Sequence, residues 1–345
     1  MPLCGTTLSD AQAEGFQASL SGVYGRQPEV DLSGAHIVII GGGKMGEAIL
    51  GGWIAAKTGP AAHLCAQNFC VANPGAERRR YLQETYGVTC VGDAREVEMA
   101  DIVVLAVKPQ VMMGVLKSIA TLPAYRCTAV TDVCFAGSRA QSPLFISVAA
   151  GLSTKKLEDA LMGVAGGVRA QDECAQVVDA QSATQTSRVR MVRTMPNTPL
   201  LAGCGVTAIC GGAYVSDADV LLVRDLFSCL GSAHIVDEKD IDAIVALSGS
   251  GPAYVAAFIE ALRNAGVSQG LESALAESLA IDTMRGTLTL MDVRAQDVQT
   301  TREAVCSPGG TTLAALHAME NAGFSASIDA GIKAACARSK ELALC

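Results

Sequence analysis

The sequence predicts an α/β fold in which a mostly parallel sheet, covered by helices on both faces, is followed by an all-α domain. Three observations carry this expectation. Short β-branched runs alternate with stretches of helical periodicity up to about Val236. A glycine-rich turn joins the first of those runs to the first helix. From Lys239 onward Ala, Leu, Glu and Met recur at helical spacing, with no strand signal.

The elements follow in order. Residues 36–40 (HIVII) form a short β-branched run that ends in glycines, and apolar residues then recur at helical spacing through Met45, Ile49, Trp53 and Ile54. Residues 69–72 (FCVA) are a second strand, and a helix over 77–86 is stopped by Gly87. Further strands are expected at 102–107, 145–149, 189–193 and 206–210. Helices are expected at 254–265, 271–291 and 327–344. The chain therefore divides into an N-terminal extension (1–35), an α/β domain (36–236) and a helical domain (237–345). Residues 124–142 and 163–187, rich in Gly, Ser, Ala and Gln, are read as loop insertions between strands.

Bulk properties exclude several classes of function. At 345 residues the chain suits two domains, and at 50% hydrophobic and 17% charged it can bury a large core. The net charge of −8 argues against a nucleic-acid binder, which needs basic surface to neutralise phosphates. The thirteen cysteines are scattered with no C-x-x-C pair, and the four histidines show no ligand spacing, so no metal is expected. The cysteines read as small buried hydrophobes in a reducing compartment. Residues 241–259 come nearest to a membrane span but carry Asp242, Ser248, Ser250, Gly249, Gly251 and Pro252, so no membrane association is expected. The tail up to residue 34 carries one basic residue, Arg26, and fits neither a secretory nor a mitochondrial leader; a cytoplasmic location is expected.

The glycine turn is the first chemical motif. Gly41-x-Gly43-x-x-Gly46 follows a strand and opens a helix, the setting in which a dinucleotide pyrophosphate meets free N–H groups. The first glycine permits the tight turn, the second lets backbone approach the phosphates and the third lets helix and strand pack closely. The second strand ends in Asn73 rather than an acidic residue, and Arg78, Arg79 and Arg80 lie just beyond. A neutral Asn73 does not repel a 2′-phosphate and an arginine can bind one, so NADP(H) is preferred and NAD(H) is the alternative. A purely structural turn, and a solvated face for the arginine run, are the plain alternatives. Lys108 ends a strand, where ligands bind in open α/β sheets, and equally reads as an ordinary surface lysine.

The second motif lies in the helical domain. Ser307-Pro308-Gly309-Gly310-Thr311-Thr312 precedes a helical pattern and offers several N–H groups and two hydroxyls at a helix start, a setting apt for a carboxylate. A simple helix cap needs one Ser or Thr and not two adjacent glycines. Ser248 takes the first glycine position of a G-x-S-x-G elbow around Ser250, which argues against a serine hydrolase.

These segments, with Ala106-Val107-Lys108-Pro109, Ser147-Val148-Ala149-Ala150-Gly151, Arg193-Thr194-Met195-Pro196-Asn197-Thr198-Pro199 and Leu247 to Tyr254, resemble pyrroline-5-carboxylate reductase in order and spacing over roughly residues 36–340. The resemblance implies an N-terminal Rossmann dinucleotide-binding domain and an all-α dimerisation domain that interlocks two subunits, with dimers assembling into decamers. It implies the last step of proline biosynthesis, hydride transfer from NAD(P)H to the C=N carbon of Δ1-pyrroline-5-carboxylate. By position, Ile40, Gly41, Gly43, Lys44, Met45 and Gly46 would hold the pyrophosphate and Asn73 would meet the adenosine ribose. Val107, Lys108 and Ala150 would line the cofactor, with Asn197 near the nicotinamide end. Ser307, Gly309, Gly310 and Thr311 would bind the substrate carboxylate, Glu238 would lie near the substrate, and Thr312 would hydrogen-bond the ring nitrogen as the catalytic residue. Asp93, Glu303 and Ala304 depart from the family's usual residues.

Two rivals stand beside this reading. A β-hydroxyacid dehydrogenase has a similar architecture but wants a lysine followed by an asparagine in the helical domain, where this chain has Arg263-Asn264. A cofactor-sensing module would keep the glycine turn without needing Ser307 to Thr312.

Overall fold

The computed structural model describes residues 30–122, 142–162 and 189–344. Nearly all of the N-terminal extension and of the two insertions therefore lies outside the described residues.

Strands β1 (Ile37–Ile40), β2 (Phe69–Ala72), β3 (Thr89–Val91), β4 (Ile102–Leu105), β5 (Leu144–Ser147), β6 (Arg190–Pro196), β7 (Gly205–Gly211) and β8 (Gly231–Ile235) form one sheet in the order β3-β2-β1-β4-β5-β6-β7-β8. Every residue of β1, β2, β4 and β5 is buried, as expected of parallel strands covered on both faces. The covering helices are α1 (Lys44–Ala55), α2 (Ala76–Tyr86), α3 (Pro109–Ala120), α4 (Thr154–Leu161) and α5 (Asp217–Ser228). One face is anchored by Trp53, fully buried on α1, which meets Phe227 edge-on and donates its indole N–H to the Leu226 carbonyl at 2.8 Å.

The sheet departs from the sequence expectation in two places. Strands β3 and β8 were not foreseen, because Thr89, Ser232 and His234 dilute their apolar signal at the sheet's two edges. Strand β7 runs antiparallel to β6. The residues between those two strands are too few for a crossover helix, so the chain must turn straight back. β6 runs past the expected 189–193, with Met195 and Pro196 as its last residues.

The helical domain begins with a short turn at Glu238–Asp240, then α6 (Ile241–Ile244), a wide π turn (Val245–Gly249) and α7 (Gly251–Ser268). The glycines and Pro252 of this stretch do not break it. The π turn absorbs Ser248 and Gly249, and Pro252 sits in the first turn of α7, where its missing N–H costs nothing. Helices α8 (Ser273–Arg294), α9 (Val298–Ala304), α10 (Thr311–Asn321) and α11 (Phe324–Leu344) follow. The seven-residue α9 was not expected. α11 returns to the start of the domain, where Ser339 donates its hydroxyl to Asp242 at 2.6 Å.

This domain has almost no core of its own. No described residue of α7 or α10 is buried, and α8 buries only Ala276 and Ala280. Leu262, Leu275, Leu279, Leu288, Val293 and Ile328 are all exposed. By length and composition alone Glu238–Ser268 could cross a membrane, with 11% of its most apolar window buried. The same exposed apolar character continues on α8 and α11, so it belongs to the whole domain rather than to one span.

Candidate active site

The order of strands reverses between β1 and β4, which pair in parallel from Ile37 with Ile102 to Ile40 with Leu105. The crevice at their carboxyl ends is where an open α/β sheet binds ligands. Gly41 follows β1, Ala106 to Lys108 follow β4, and Val148 to Gly151 follow β5, so the predicted cofactor segments converge on one edge. The Gly41 amide is tied to Ala72 O at 2.9 Å, and the Ala106 amide to Ile40 O at 2.8 Å.

Each glycine of the turn does a different thing. Gly41 adopts φ +105°, and a Cβ there would meet Ala106 O at 2.6 Å. A Cβ on Gly46 would meet Gly41 O at 2.0 Å, so this position exists to let α1 pack against the turn. A Cβ on Gly43 would meet nothing within 4 Å. Gly43 is the N-cap of α1 and makes no side-chain cap, so the helix start is left open to an anion while the glycines around it are hemmed in. The residues present therefore fit a dinucleotide pyrophosphate.

Beside this turn lies Asn73, whose Oδ1 accepts from the Gly42 amide at 3.2 Å. Of the three arginines, Arg78 donates to the Gly42 carbonyl and to Glu47, and lies over the Tyr81 ring. Arg79 donates to the carbonyls of Asn73 at 2.8 Å and Pro74 at 2.7 Å. Arg78 is thus a brace for the glycine turn, and Arg79 places positive charge next to Asn73. Burial opposes ionisation of Glu47. Hydrogen bonds from Arg78 and Tyr81, the Arg78 charge and a bond from Tyr86 outweigh it and hold this carboxyl below its ordinary value. Asp93 is taken up by Arg95, whose hydrogen bonds pull its carboxyl down to about 2.

Lys108 is exposed at the N-cap of α3, with Val107 and Ala150 partly exposed beside the same edge. Asn197, just past β6, is buried and fully committed. Its Oδ1 accepts from the Val206 amide at 2.8 Å and its Nδ2 donates to the Ser248 carbonyl at 3.0 Å. Glu238 is equally engaged. Oε1 accepts from the Thr154 amide at 2.7 Å and from Arg193 at 3.0 Å, and Oε2 accepts from the Thr154 hydroxyl at 2.7 Å. Burial pushes the Glu238 carboxyl up, but these bonds and the Arg193 charge outweigh it and hold the group below its ordinary value. The same buried corner pushes the Cys210 thiol up to about 12, with the Glu238 charge adding to the effect of burial.

Ser307 to Thr312 lie at the start of α10. Gly309 adopts φ +72°, Gly310 is the N-cap with no side-chain cap, and its amide donates to Ser307 O at 2.9 Å. A self-contained helix cap is thus not what the two threonines provide. Ser307, Gly309 and Thr311 are exposed, and no hydrogen bond among the described residues joins this segment to the glycine turn. Sequence reasoning missed Arg193 and Thr154. The available signal was Arg193 itself, a charge following the apolar pair Met191 and Val192 inside a strand.

Comparison with known proteins bears on both halves of the chain. Residues 36–127 match a family model described as NADP oxidoreductase coenzyme F420-dependent, and residues 238–342 match one described as pyrroline-5-carboxylate reductase dimerisation. The pyrroline-5-carboxylate reductase of Synechocystis is 35% identical over 305 residues, covering 88% of this chain and 97% of that protein. That of Escherichia coli is 32% identical over 293 residues, covering 85% and 92%. Among solved structures, the pyrroline-5-carboxylate reductase of Coxiella burnetii superposes with a TM-score of 0.70 at 30% identity, covering 89% of this chain and 98% of that one. Plasmodium falciparum pyrroline carboxylate reductase with NADP bound gives 0.68 at 28% identity, covering 90% and 99%.

Proposed function

The chain belongs to the pyrroline-5-carboxylate reductase family, and from that premise we propose how its residues divide the work. It is an NAD(P)-dependent oxidoreductase that reduces Δ1-pyrroline-5-carboxylate to L-proline, the last step of proline biosynthesis. The observation in this structure that carries the reading is the open glycine turn at the strand-order reversal, in one chain with an uncapped Ser-Pro-Gly-Gly-Thr-Thr helix start.

Ile40, Gly41, Gly43, Lys44, Met45 and Gly46 hold the pyrophosphate at the start of α1. Val107, Lys108 and Ala150 line the nicotinamide half, which Asn197 borders. NADP(H) is preferred because Asn73 is neutral and Arg79 is fixed beside it. When bound, the reduced nicotinamide supplies a hydride. The N–H groups of Gly309, Gly310 and Thr311, with Ser307, bind the substrate carboxylate. Thr312 orients the ring nitrogen, and Glu238 adds negative charge on the substrate's side of the junction. The substrate's protonated C=N bond accepts the hydride at carbon and becomes the secondary amine of proline, so the protein's task is orientation more than proton transfer.

The exposed apolar faces of α7, α8 and α11 are covered by a second copy, consistent with the dimerisation model over residues 238–342. A homodimer, with further assembly to a decamer, is the proposed state. Its location is the cytoplasm, in keeping with free thiols at the exposed Cys65 and Cys204. The test is direct. Purified protein, NADPH and pyrroline-5-carboxylate are followed at the NADPH absorbance band, with proline as the product. Absence of substrate-dependent oxidation overturns the reading.

A further inference from the structure

Two side chains four residues apart, Arg193 and Asn197, leave the same side of β6 and its continuation and reach the helical domain. Arg193 Nη1 donates to Glu238 Oε1 at 3.0 Å, and Asn197 Nδ2 donates to Ser248 O at 3.0 Å. Glu238 opens the helical domain and Ser248 lies in its π turn. On the other side the Glu238 carboxylate takes both the amide and the hydroxyl of Thr154, the first residue of α4. The turn leading into α4 carries Ala150, which lines the cofactor crevice. It also carries Gly151, held at φ +76°. One carboxylate therefore joins strand β6, the cofactor-lining turn and the first turn of the helical domain.

Arg193 has an unusual setting for an arginine. It is 6% exposed in the sheet, and its buried Nε has no partner. A buried charge with an unused donor is a poor way to stabilise a strand, since an apolar residue of similar size does it better. Its remaining contribution is directional: a rigid guanidinium that fixes where Glu238 sits.

We propose that Arg193 is a positioning residue for hydride transfer, locking the cofactor-lining turn to the helical domain through Glu238 and Thr154 and so setting the distance between nicotinamide and substrate. The proposal rests on the reductase reading above. Ser307 to Thr312 belong to the helical domain, so whichever subunit supplies them, their placement relative to the cofactor passes through this junction. Asn197 acts as the second point of the same clamp.

The experiment compares wild type with Arg193→Lys, which keeps the charge but loses the fork, and Thr154→Val, which removes one hydroxyl. NADP+ affinity, steady-state kinetics, the primary isotope effect with NADPH deuterated at C4, and hydrogen exchange of residues 148–156 and 238–248 are measured on folded oligomer. Expected for Arg193→Lys are NADP+ affinity within about twofold of wild type and kcat lowered about tenfold or more, because small misplacements of reacting atoms are costly. The isotope effect on kcat rises as hydride transfer becomes limiting, and both segments exchange faster together. Thr154→Val moves in the same direction by a smaller factor, and decides the matter if Arg193→Lys does not fold. Unchanged kcat and isotope effect in a folded variant overturn the proposal. So does a loss of NADP+ affinity as large as the loss of kcat, which marks a merely structural role. If wild type fails to reduce pyrroline-5-carboxylate, the reaction assignment falls instead. The exchange measurement then still judges the junction, because independent opening of the two segments overturns it.

Discussion

At Gly46 a methyl group has nowhere to go, whereas at Gly43 it has open space, and the two positions make a paired prediction. Gly46→Ala places a Cβ 2.0 Å from Gly41 O, so the turn must shift. The expected cost is about 3 kcal/mol, at the upper end of what overpacking does, together with loss of cofactor binding. Gly43→Ala leaves the melting temperature near wild type while weakening NADP+ binding, because the added methyl occupies the space the phosphates need. Thermal melts and cofactor titration of the two variants check this; equal effects on stability would contradict it. At the substrate end, Thr312→Ala is expected to lower kcat with little change in melting temperature, since Thr312 is partly exposed at the start of α10. Unchanged steady-state kinetics would remove its role.

Among the elements, α5 depends on one ion pair. Arg190 of β6 donates from Nε and Nη2 to the two carboxylate oxygens of Asp219 on α5, and the same carboxylate accepts from the amide and hydroxyl of Ser216, the helix N-cap. Asp219→Asn leaves part-buried Arg190 without its charge partner and is expected to cost about 2 kcal/mol, the range for a hydrogen bond to a charged group. The pH dependence follows in sign. Burial raises the Asp219 carboxyl, but Arg190 and Ser216 outweigh it, so the folded value is below the unfolded one. The stability this group adds is complete above the unfolded value, about pH 4, and is lost as pH falls through the lower folded value. Denaturant melts from pH 7 down to about pH 3 are expected to show a shallower decline for Asp219→Asn than for wild type. The strands and helices themselves were legible where their signal was local. β1, β2, β4 and β5 announced themselves as apolar runs because they are buried on both faces. β3 and β8 did not, because edge strands carry polar residues and are recognised only by the neighbour they pair with. The direction of β7 was equally hidden: its sequence says strand, and only the short connection from β6 makes it antiparallel.

For the whole molecule, the helical domain leaves its apolar faces uncovered within one chain. Leu275 and Leu279 are exposed one turn apart on α8. Replacing both with lysine is expected to shift the protein toward monomer in sedimentation and to lower reductase activity with it, as an apolar face becomes charged. A dimer that persists at full activity would place the interface elsewhere. Among the described residues, no hydrogen bond joins residues 307–312 to the glycine turn within one chain.

The sequence by itself determined the parallel-sheet fold followed by a helical region, the glycine turn and the helix start at residues 307–312. Each is a short motif whose chemistry is local: a glycine that admits φ +105°, a helix start with free N–H groups, an apolar run of four residues. Only the tertiary structure decided what the buried polar side chains do. Arg78 braces the glycine turn instead of standing free for a phosphate. Asn197 spends both halves of its amide on Val206 and Ser248, and Glu238 is gripped by Thr154 and Arg193, residues 84 and 45 positions away. No spacing in the chain records such partners, because a hydrogen bond depends on distance in space, and folding alone brings those residues to 3 Å.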